Sequence, residues 1–244
     1  MNSIFSTEQQ LEAITKILLG YLRLPFSGNS IPGSVMESIV SEVRDATVLN
    51  TYDFVDVVNT SQGLGWQVKS TKADTPVTWK RAKIPDAVNL IEQSRKSSEA
   101  RQQLGDTIIR FCNEHAIQSM RDYELDAIGY ARLVIHKDGQ LTYFEKLLCT
   151  RDAPRVFEEQ DYVWEWSSPK RTRKKEQLPA LHGVHVNSGK KHFAWHGLGE
   201  NQLHFSGEKN WWPVGREHRI DFRFPENRLT QSEFMSLLAR LAGH

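Results

Sequence analysis

Residues 51–71 read TYDFVDVVNTSQGLGWQVKST and predict two β-strands joined by a short turn. β-branched and aromatic residues dominate both flanks, and the glycine-containing segment between them is typical of a hairpin loop. Because side chains alternate along a strand, Gln67 and Lys69 project from one face of the second strand. Trp66 and Val68 project from the other face, where they are expected to pack into the core.

The first strand offers two acids, Asp53 and Asp56, as partners for this polar face. They lie three residues apart and therefore on opposite faces of a regular strand, so only one of them is expected to face Gln67 and Lys69. Asp53 is the preferred choice, because it lies at the start of the first strand and can come alongside the second. Asp56 is the alternative.

The rest of the chain predicts helices around this hairpin and β-structure towards the C-terminus. Apolar spacing predicts helices over residues 7–24 (capped by Ser6 or Thr7), 34–46, 86–104, 105–121 (with Gly105 as the break) and 230–241. Residues 126–150 predict a second hairpin that turns at 137–139, and residues 160–225 carry short β-like runs. The expected fold is α/β, a mixed central sheet flanked by helices. Residues 1–150 would form the core and 151–244 a β-rich portion, or both would form one continuous domain.

Composition places few limits on function but excludes several classes. The 244-residue chain carries 31 basic and 30 acidic residues, a net charge of +1, so any basic surface must come from local clustering. Its two cysteines, Cys112 and Cys149, are isolated, which argues against a cysteine-based zinc site. Neither a signal peptide nor a membrane-spanning segment is recognisable, and a cytoplasmic location is expected.

The polar face of the hairpin carries the groups that phosphodiester hydrolysis requires. The Asp53 carboxylate and the side-chain carbonyl of Gln67 are oxygen ligands of the kind that Mg²⁺ prefers. Lys69 can stabilise charge on the phosphate or help to orient and deprotonate the attacking water. The metal would lower the pKa of its bound water and act as a Lewis acid.

These residues resemble the PD-(D/E)xK nuclease superfamily, and within it the type II restriction endonucleases, over residues 33–69. The family pattern is an Asp on one strand and (Asp/Glu)-x-Lys on the next. This chain departs from it at Tyr52, which replaces a loosely kept proline, and at Gln67, which replaces the acidic residue and removes one negative charge from the site. A helical glutamate often joins the family's metal site, and Glu37 is the preferred match, with Glu42 as second choice.

The resemblance implies a restriction-endonuclease-like core and a Mg²⁺-dependent, sequence-specific cut of double-stranded DNA that leaves 5′-phosphates. The β-rich C-terminal portion would contribute DNA recognition. Palindromic targets favour a homodimer, since protein symmetry mirrors DNA symmetry. Residues 170–175 hold five basic residues, and such a run can grip phosphates. Asn, Gln and Lys side chains between 182 and 204 can read base edges. The candidate DNA-binding residues are Lys80, Arg81, Lys170, Arg171, Arg173, Asn187, Lys190, Lys191, Asn201 and Gln202.

Other interpretations remain open from the sequence. The chain can be a DNA-binding protein that has lost catalysis, with Gln67 as the mark of that loss. It can also be a repair or mobile-element nuclease acting on structured DNA, or an unrelated α+β protein. Five histidines between 182 and 204 can supply zinc ligands, and His192 and His196 have the spacing of a helical pair, although nearby glycines argue against a helix there.

Overall fold

The computed structural model describes residues 3–28, 30–51, 53–171, 176–206 and 218–243. Five α-helices occur in these ranges: α1 (Glu8–Leu22), α2 (Gly33–Val43), α3 (Ala87–Ser94), α4 (Ser98–Asp122) and α5 (Gln231–Ala242). The strands are β1 (Thr47–Val48), β2 (Val57–Asn59), β3 (Leu64–Lys72), β4 (Val77–Arg81), β5 (Ala127–Ile135), β6 (Gln140–Thr150), β7 (Tyr162–Trp166), β8 (Lys170–Arg171), β9 (Glu176–Gln177), β10 (Leu181–His185), β11 (Lys191–Trp195), β12 (Gln202–Phe205) and β13 (Arg219–Arg223). None of the helices in the described ranges is long and apolar enough to cross a membrane.

The large sheet is mixed and has the order β1-β2-β3-β5-β6-β13. β3 runs parallel to β5, and its other partner β2 is antiparallel. A parallel neighbour requires a long crossover, which here contains β4, α3 and α4. The expected mixed sheet flanked by helices is therefore confirmed as a mixed α/β architecture.

A smaller five-stranded sheet has the order β4-β12-β11-β10-β7. It confirms the expected β-structure after residue 160. Strands are exchanged across residue 150, because β4 joins the small sheet beside β12 and β13 returns to the large sheet beside β6. The division into 1–150 and 151–244 stays a prediction.

Two apolar clusters hold these layers on opposite faces of the large sheet. On one face, Ile14 of α1 and Ile39 of α2 share a cluster with Trp66. On the other face, Ile108 of α4 shares a cluster with Trp195 of the small sheet. Trp66 and Val68 are buried on the first face as predicted, so the alternation along β3 turns Gln67 and Lys69 towards the second.

Local signals predicted several boundaries correctly. Thr7, one of the two predicted caps, caps α1 in a capping box with Gln10. The last helix begins one residue later than predicted, at Gln231, and Thr230 caps it in a capping box with Glu233. The hairpin of β5 and β6 turns through residues 136–139, as expected. The hairpin of β2 and β3 also forms, and its turn closes at Gly63, whose φ of 67° favours glycine.

Two predicted boundaries are wrong. Gly105 does not break a helix: it lies inside α4, and the break falls earlier, where the Ser97 side chain accepts a hydrogen bond from the Ala100 N–H and caps α4. Glycine is required at 105 for packing, because a Cβ there would lie 2.1 Å from Cγ of Trp164. The first strand of the hairpin is also shorter than expected, since β2 begins only at Val57.

Candidate active site at the edge of the large sheet

Asp56 and Lys69 form an ion pair where β2 diverges from β3. β3 pairs with β2 only over Leu64–Trp66 but continues beside β5 as far as Lys72. Just beyond the paired part, one Asp56 oxygen, Oδ2, accepts the Val68 N–H at 2.7 Å and lies 2.9 Å from Lys69 Nζ. The side chains are 19% and 25% exposed for Lys69 and Asp56, so solvent screens the pair only in part.

Glu37 on α2 belongs to the same group of charges. Burial raises its pKa first, the negative charge of Asp56 raises it further, and Lys69 lowers it in part. Two carboxylates and one lysine therefore share one partly buried region. The second choice, Glu42, lies elsewhere, in a groove between α1 and α2 that is also lined by Ile17 and Tyr21.

Gln67 lies on the same face of β3 as Lys69 but is only 2% exposed. Its Nε2 donates to the backbone carbonyl of Trp79 at 3.3 Å. The amide must be oriented in this way, because in the flipped orientation its oxygen would face the Trp79 carbonyl oxygen. Gln67 Oε1 is buried and has no hydrogen-bond partner within the described part of the chain.

Asp53 precedes β2 and is held by the end of α4. Its carboxylate accepts hydrogen bonds from the hydroxyls of Thr51 and Tyr123. These bonds, with Thr51 first, lower the pKa of Asp53, and the positive charge of Lys80 lowers it slightly more. The preferred acid from the sequence is thus bound to Tyr123, and the structure places the alternative, Asp56, against Lys69.

Lys80 on β4 is half-buried near these groups. Burial lowers its pKa, whereas the negative charges of Asp53 and Asp56 act in the opposite direction. Arg81 follows it at the end of the strand and pairs in register with Gln202 of β12. The Asn201 carbonyl accepts the N–H of Ala82 at 2.7 Å. Three predicted DNA-binding residues, Arg81, Asn201 and Gln202, therefore adjoin each other along one edge of the small sheet.

The other predicted DNA-binding residues are more dispersed. Asn187 and Lys190 lie in the turn between β10 and β11. Lys191 lines a pocket on the small sheet together with His182, His196 and His204. Lys170 and Arg171 form β8, which pairs with β9, and Arg173 lies outside the described residues.

The histidines do not form the helical pair that their spacing allows. His192 lies on strand β11 and His196 follows it, so the expectation that glycines prevent a helix is confirmed. Burial lowers the pKa of His192 to about 4, and its ring stacks on His185 with centroids 4.6 Å apart. Within the described ranges, no group of three or more His, Cys, Asp or Glu side chains could hold a metal ion.

A magnesium site needs fewer than three such protein ligands. Mg²⁺ usually keeps several waters and binds through one or two carboxylates. Asp56 and Glu37 supply two, and the unpartnered Oε1 of Gln67 is a neutral oxygen of the right kind on the strand that carries Lys69. The oxygen donors therefore fit Mg²⁺ in type and number.

Comparison of the chain with protein-family models, with curated proteins and with solved structures finds no match.

Proposed function

We propose that the chain is a Mg²⁺-dependent DNA endonuclease with Glu37, Asp56, Gln67 and Lys69 at its active centre. The observation that carries the proposal is the contact between Lys69 and Asp56, together with the influence of both charges on the pKa of Glu37. The resemblance to the PD-(D/E)xK nucleases implies a helical glutamate, an aspartate of the first strand and a lysine of the second; here the aspartate directly precedes β2. The mixed sheet flanked by helices supports a restriction-endonuclease-like core.

Each residue has a role that follows from its chemistry. Asp56, Glu37 and the Gln67 amide oxygen would hold the metal, which when bound supplies Lewis acidity and lowers the pKa of a coordinated water. Asp56 Oδ2 is oriented by the Val68 N–H, so its position does not depend on the metal. Lys69 donates hydrogen bonds to the phosphate and stabilises the charge that develops there.

The substrate we propose is double-stranded DNA, cut at specific sites to leave 5′-phosphates, as the resemblance implies. Arg81, Asn201 and Gln202 line one edge of the small sheet, and Arg81 directly follows Lys80 of β4. Arg reads guanine and Asn or Gln reads adenine in the major groove. A homodimer on a palindromic site and a cytoplasmic location complete the proposal.

Incubation with long duplex DNA in Mg²⁺ and, separately, in Ca²⁺ tests the proposal. We expect discrete fragments in Mg²⁺ and intact DNA in Ca²⁺. Lys69→Ala should reduce the cleavage rate by about 10²–10³-fold, the loss typical of one removed charge-stabilising donor. Smears or no cleavage by the wild type in Mg²⁺ would contradict a site-specific nuclease.

Paired aspartate variants identify the acid. Asp56→Asn keeps an oxygen that can accept the Val68 N–H but removes the charge, so cleavage should fall at least as far as in Lys69→Ala. Asp53→Asn should retain most of the activity, because Asp53 is bound to Tyr123 rather than to Lys69. If Asp53→Asn loses more cleavage activity than Asp56→Asn, Asp53 is the main acid of the site instead.

One observation favours a second candidate, a DNA-binding protein without catalysis. Gln67 stands where the family has an acid, and loss of that acid is a simple route to an inactive site. This candidate predicts a gel shift with duplex DNA and intact DNA at every Mg²⁺ concentration. Cleavage by the wild type, abolished in Lys69→Ala, excludes it.

A further inference from the structure

Gln67 makes a contact that the acidic residue of the family pattern could not make. Its Nε2 donates to the Trp79 carbonyl at 3.3 Å, in a position where Gln67 is 2% exposed. An ionised carboxylate has no hydrogen to donate, and its oxygen would face the carbonyl oxygen with little solvent to screen the repulsion. Gln67 therefore ties β3 of the large sheet to β4, the strand that crosses into the small sheet.

The residue that receives this bond is firmly packed. The Trp79 side chain is 2% exposed, and its ring contacts Phe157 and Phe205 with centroids 5.2 and 5.3 Å apart. Tyr130 of the large sheet packs on it at 5.5 Å. Residue 79 is thus fixed on two sides, by its aromatic neighbours and by the Gln67 amide. The backbone of the next residue on β4 is therefore held in place as well.

That residue is Lys80, whose half-buried ammonium interacts electrostatically with Asp53 first and with Asp56 and Lys69 more weakly. Burial lowers its pKa, Asp53 and Asp56 raise it, and Lys69 lowers it. Because Gln67 of β3 donates to the Trp79 carbonyl and Lys69 lies two residues further along β3, the backbone of Lys80 lies beside the strand that carries the proposed site. Desolvation makes an ammonium more effective at stabilising a nearby anion than it is in water.

We propose that Lys80 is a second phosphate-contacting cation of the active site, and that Gln67 is also a positioning residue that holds Lys80 through the Trp79 carbonyl. The inference rests on the proposed nuclease function. It gives Gln67 two roles, one for each end of its amide: the oxygen for the metal and the nitrogen for β4. It also gives the departure from the family pattern a physical reason.

Lys80 is tested with Lys80→Gln and Lys80→Arg, and Lys16→Gln on the exposed side of α1 is the control for loss of one lysine charge. Single-turnover cleavage in Mg²⁺ should fall by about 10²-fold in Lys80→Gln, as for loss of one charge-stabilising donor. DNA affinity in Ca²⁺ should fall much less, because many other contacts hold the duplex. Lys80→Arg should recover part of the rate, and Lys16→Gln should match the wild type.

The positioning role of Gln67 is tested by whether Gln67→Glu raises or lowers the cleavage rate. If Gln67 is only a weakened metal ligand, restoring the acid in Gln67→Glu should give faster cleavage and a lower Mg²⁺ requirement. A Gln67 that holds Trp79 predicts slower cleavage, with the deficit shrinking as pH falls, since the introduced carboxyl group regains a donor when it is protonated. Melting temperatures of all variants show whether each is folded at the assay temperature.

The outcomes separate this inference from the proposed function. Absence of Mg²⁺-dependent cleavage by the wild type overturns both. Cleavage by the wild type with equal rates in Lys80→Gln and Lys16→Gln overturns the role of Lys80 alone, and faster cleavage by Gln67→Glu overturns the positioning role alone. If Lys80→Gln is unfolded, Lys80→Met decides, because it keeps the aliphatic part of the side chain and removes the charge; a rate equal to that of Lys16→Gln would overturn the role of Lys80.

Discussion

Replacing Gly105 by alanine tests the packing of α4 against the small sheet. A Cβ at position 105 would lie 2.1 Å from Cγ and from Cδ1 of Trp164, whereas ordinary contacts lie beyond 3.4 Å. Trp164 cannot easily withdraw, because it is 2% exposed and its carbonyl accepts a hydrogen bond from Arg101 Nε at 3.0 Å. The indole must therefore move by more than about 1 Å, roughly the shortfall in distance, or α4 must shift away from β7.

Gly20 in α1 provides the matched control, since a Cβ there would meet no atom within 4 Å. Both substitutions gain helix propensity of up to about 1 kcal/mol. That gain cancels in the comparison, so the difference in unfolding free energy between Gly20→Ala and Gly105→Ala measures the clash. Overpacking of a core costs about 1–3 kcal/mol, and the severity of this contact points to the upper end.

Urea unfolding of the two variants and the wild type gives the answer. We expect Gly20→Ala to be as stable as the wild type or slightly more stable. Gly105→Ala should be about 3 kcal/mol less stable than Gly20→Ala, with an unchanged dependence on urea. Equal stability of the two variants would refute the contact between α4 and Trp164.

Two further predictions concern pH. Glu37 has a raised pKa, so its ionised form destabilises the metal-free fold. Glu37→Gln should therefore raise the melting temperature at neutral pH. This gain should disappear as pH falls below the ordinary pKa of 4.5, because Glu37 is then protonated in both the folded and the unfolded protein. Asp53 has a lowered pKa, so its ionised form stabilises the fold above the ordinary value of 3.8 and this stability is lost as pH falls through the lowered pKa. Tyr123→Phe should lower stability at neutral pH and make acid unfolding less steep, as followed by circular dichroism; identical acid unfolding curves would contradict the role of the Tyr123 hydroxyl.

The sequence predicted those parts of the fold that depend on local signals. Thr7 caps its helix as its position suggests, and alternation along β3 placed Trp66 in the core and Lys69 on the polar face. Gly105 was misread because a glycine inside a helix looks the same in sequence whether it breaks the helix or admits a neighbouring side chain. The neighbour, Trp164, comes from a strand far along the chain.

The choice between the two aspartates illustrates the same limit at the site. Alternation correctly indicated that one of them faces Lys69, but it assumed a regular strand through both. The strand begins only after Asp56, because residues at the end of α4 bind the preceding segment. Ser119 Oγ accepts the Phe54 N–H at 3.1 Å, and the Tyr123 hydroxyl donates to Asp53. These contacts span 65 and 70 residues. No spacing within the hairpin could have predicted them.

The charges at this site also explain why an amide at position 67 is compatible with a stable fold. Burial, and after it the negative charge of Asp56, already raise the pKa of Glu37, with Lys69 compensating only in part. A third carboxylate at position 67 would be almost fully buried on the strand that carries Lys69, and it would face the Trp79 carbonyl. Without a bound cation, that charge would be expensive to bury. In the proposed nuclease, Gln67 would keep an oxygen for the metal and avoid the third charge, which would stabilise the metal-free protein. A nuclease built in this way should lose less stability on removal of the metal than one with an acid at position 67.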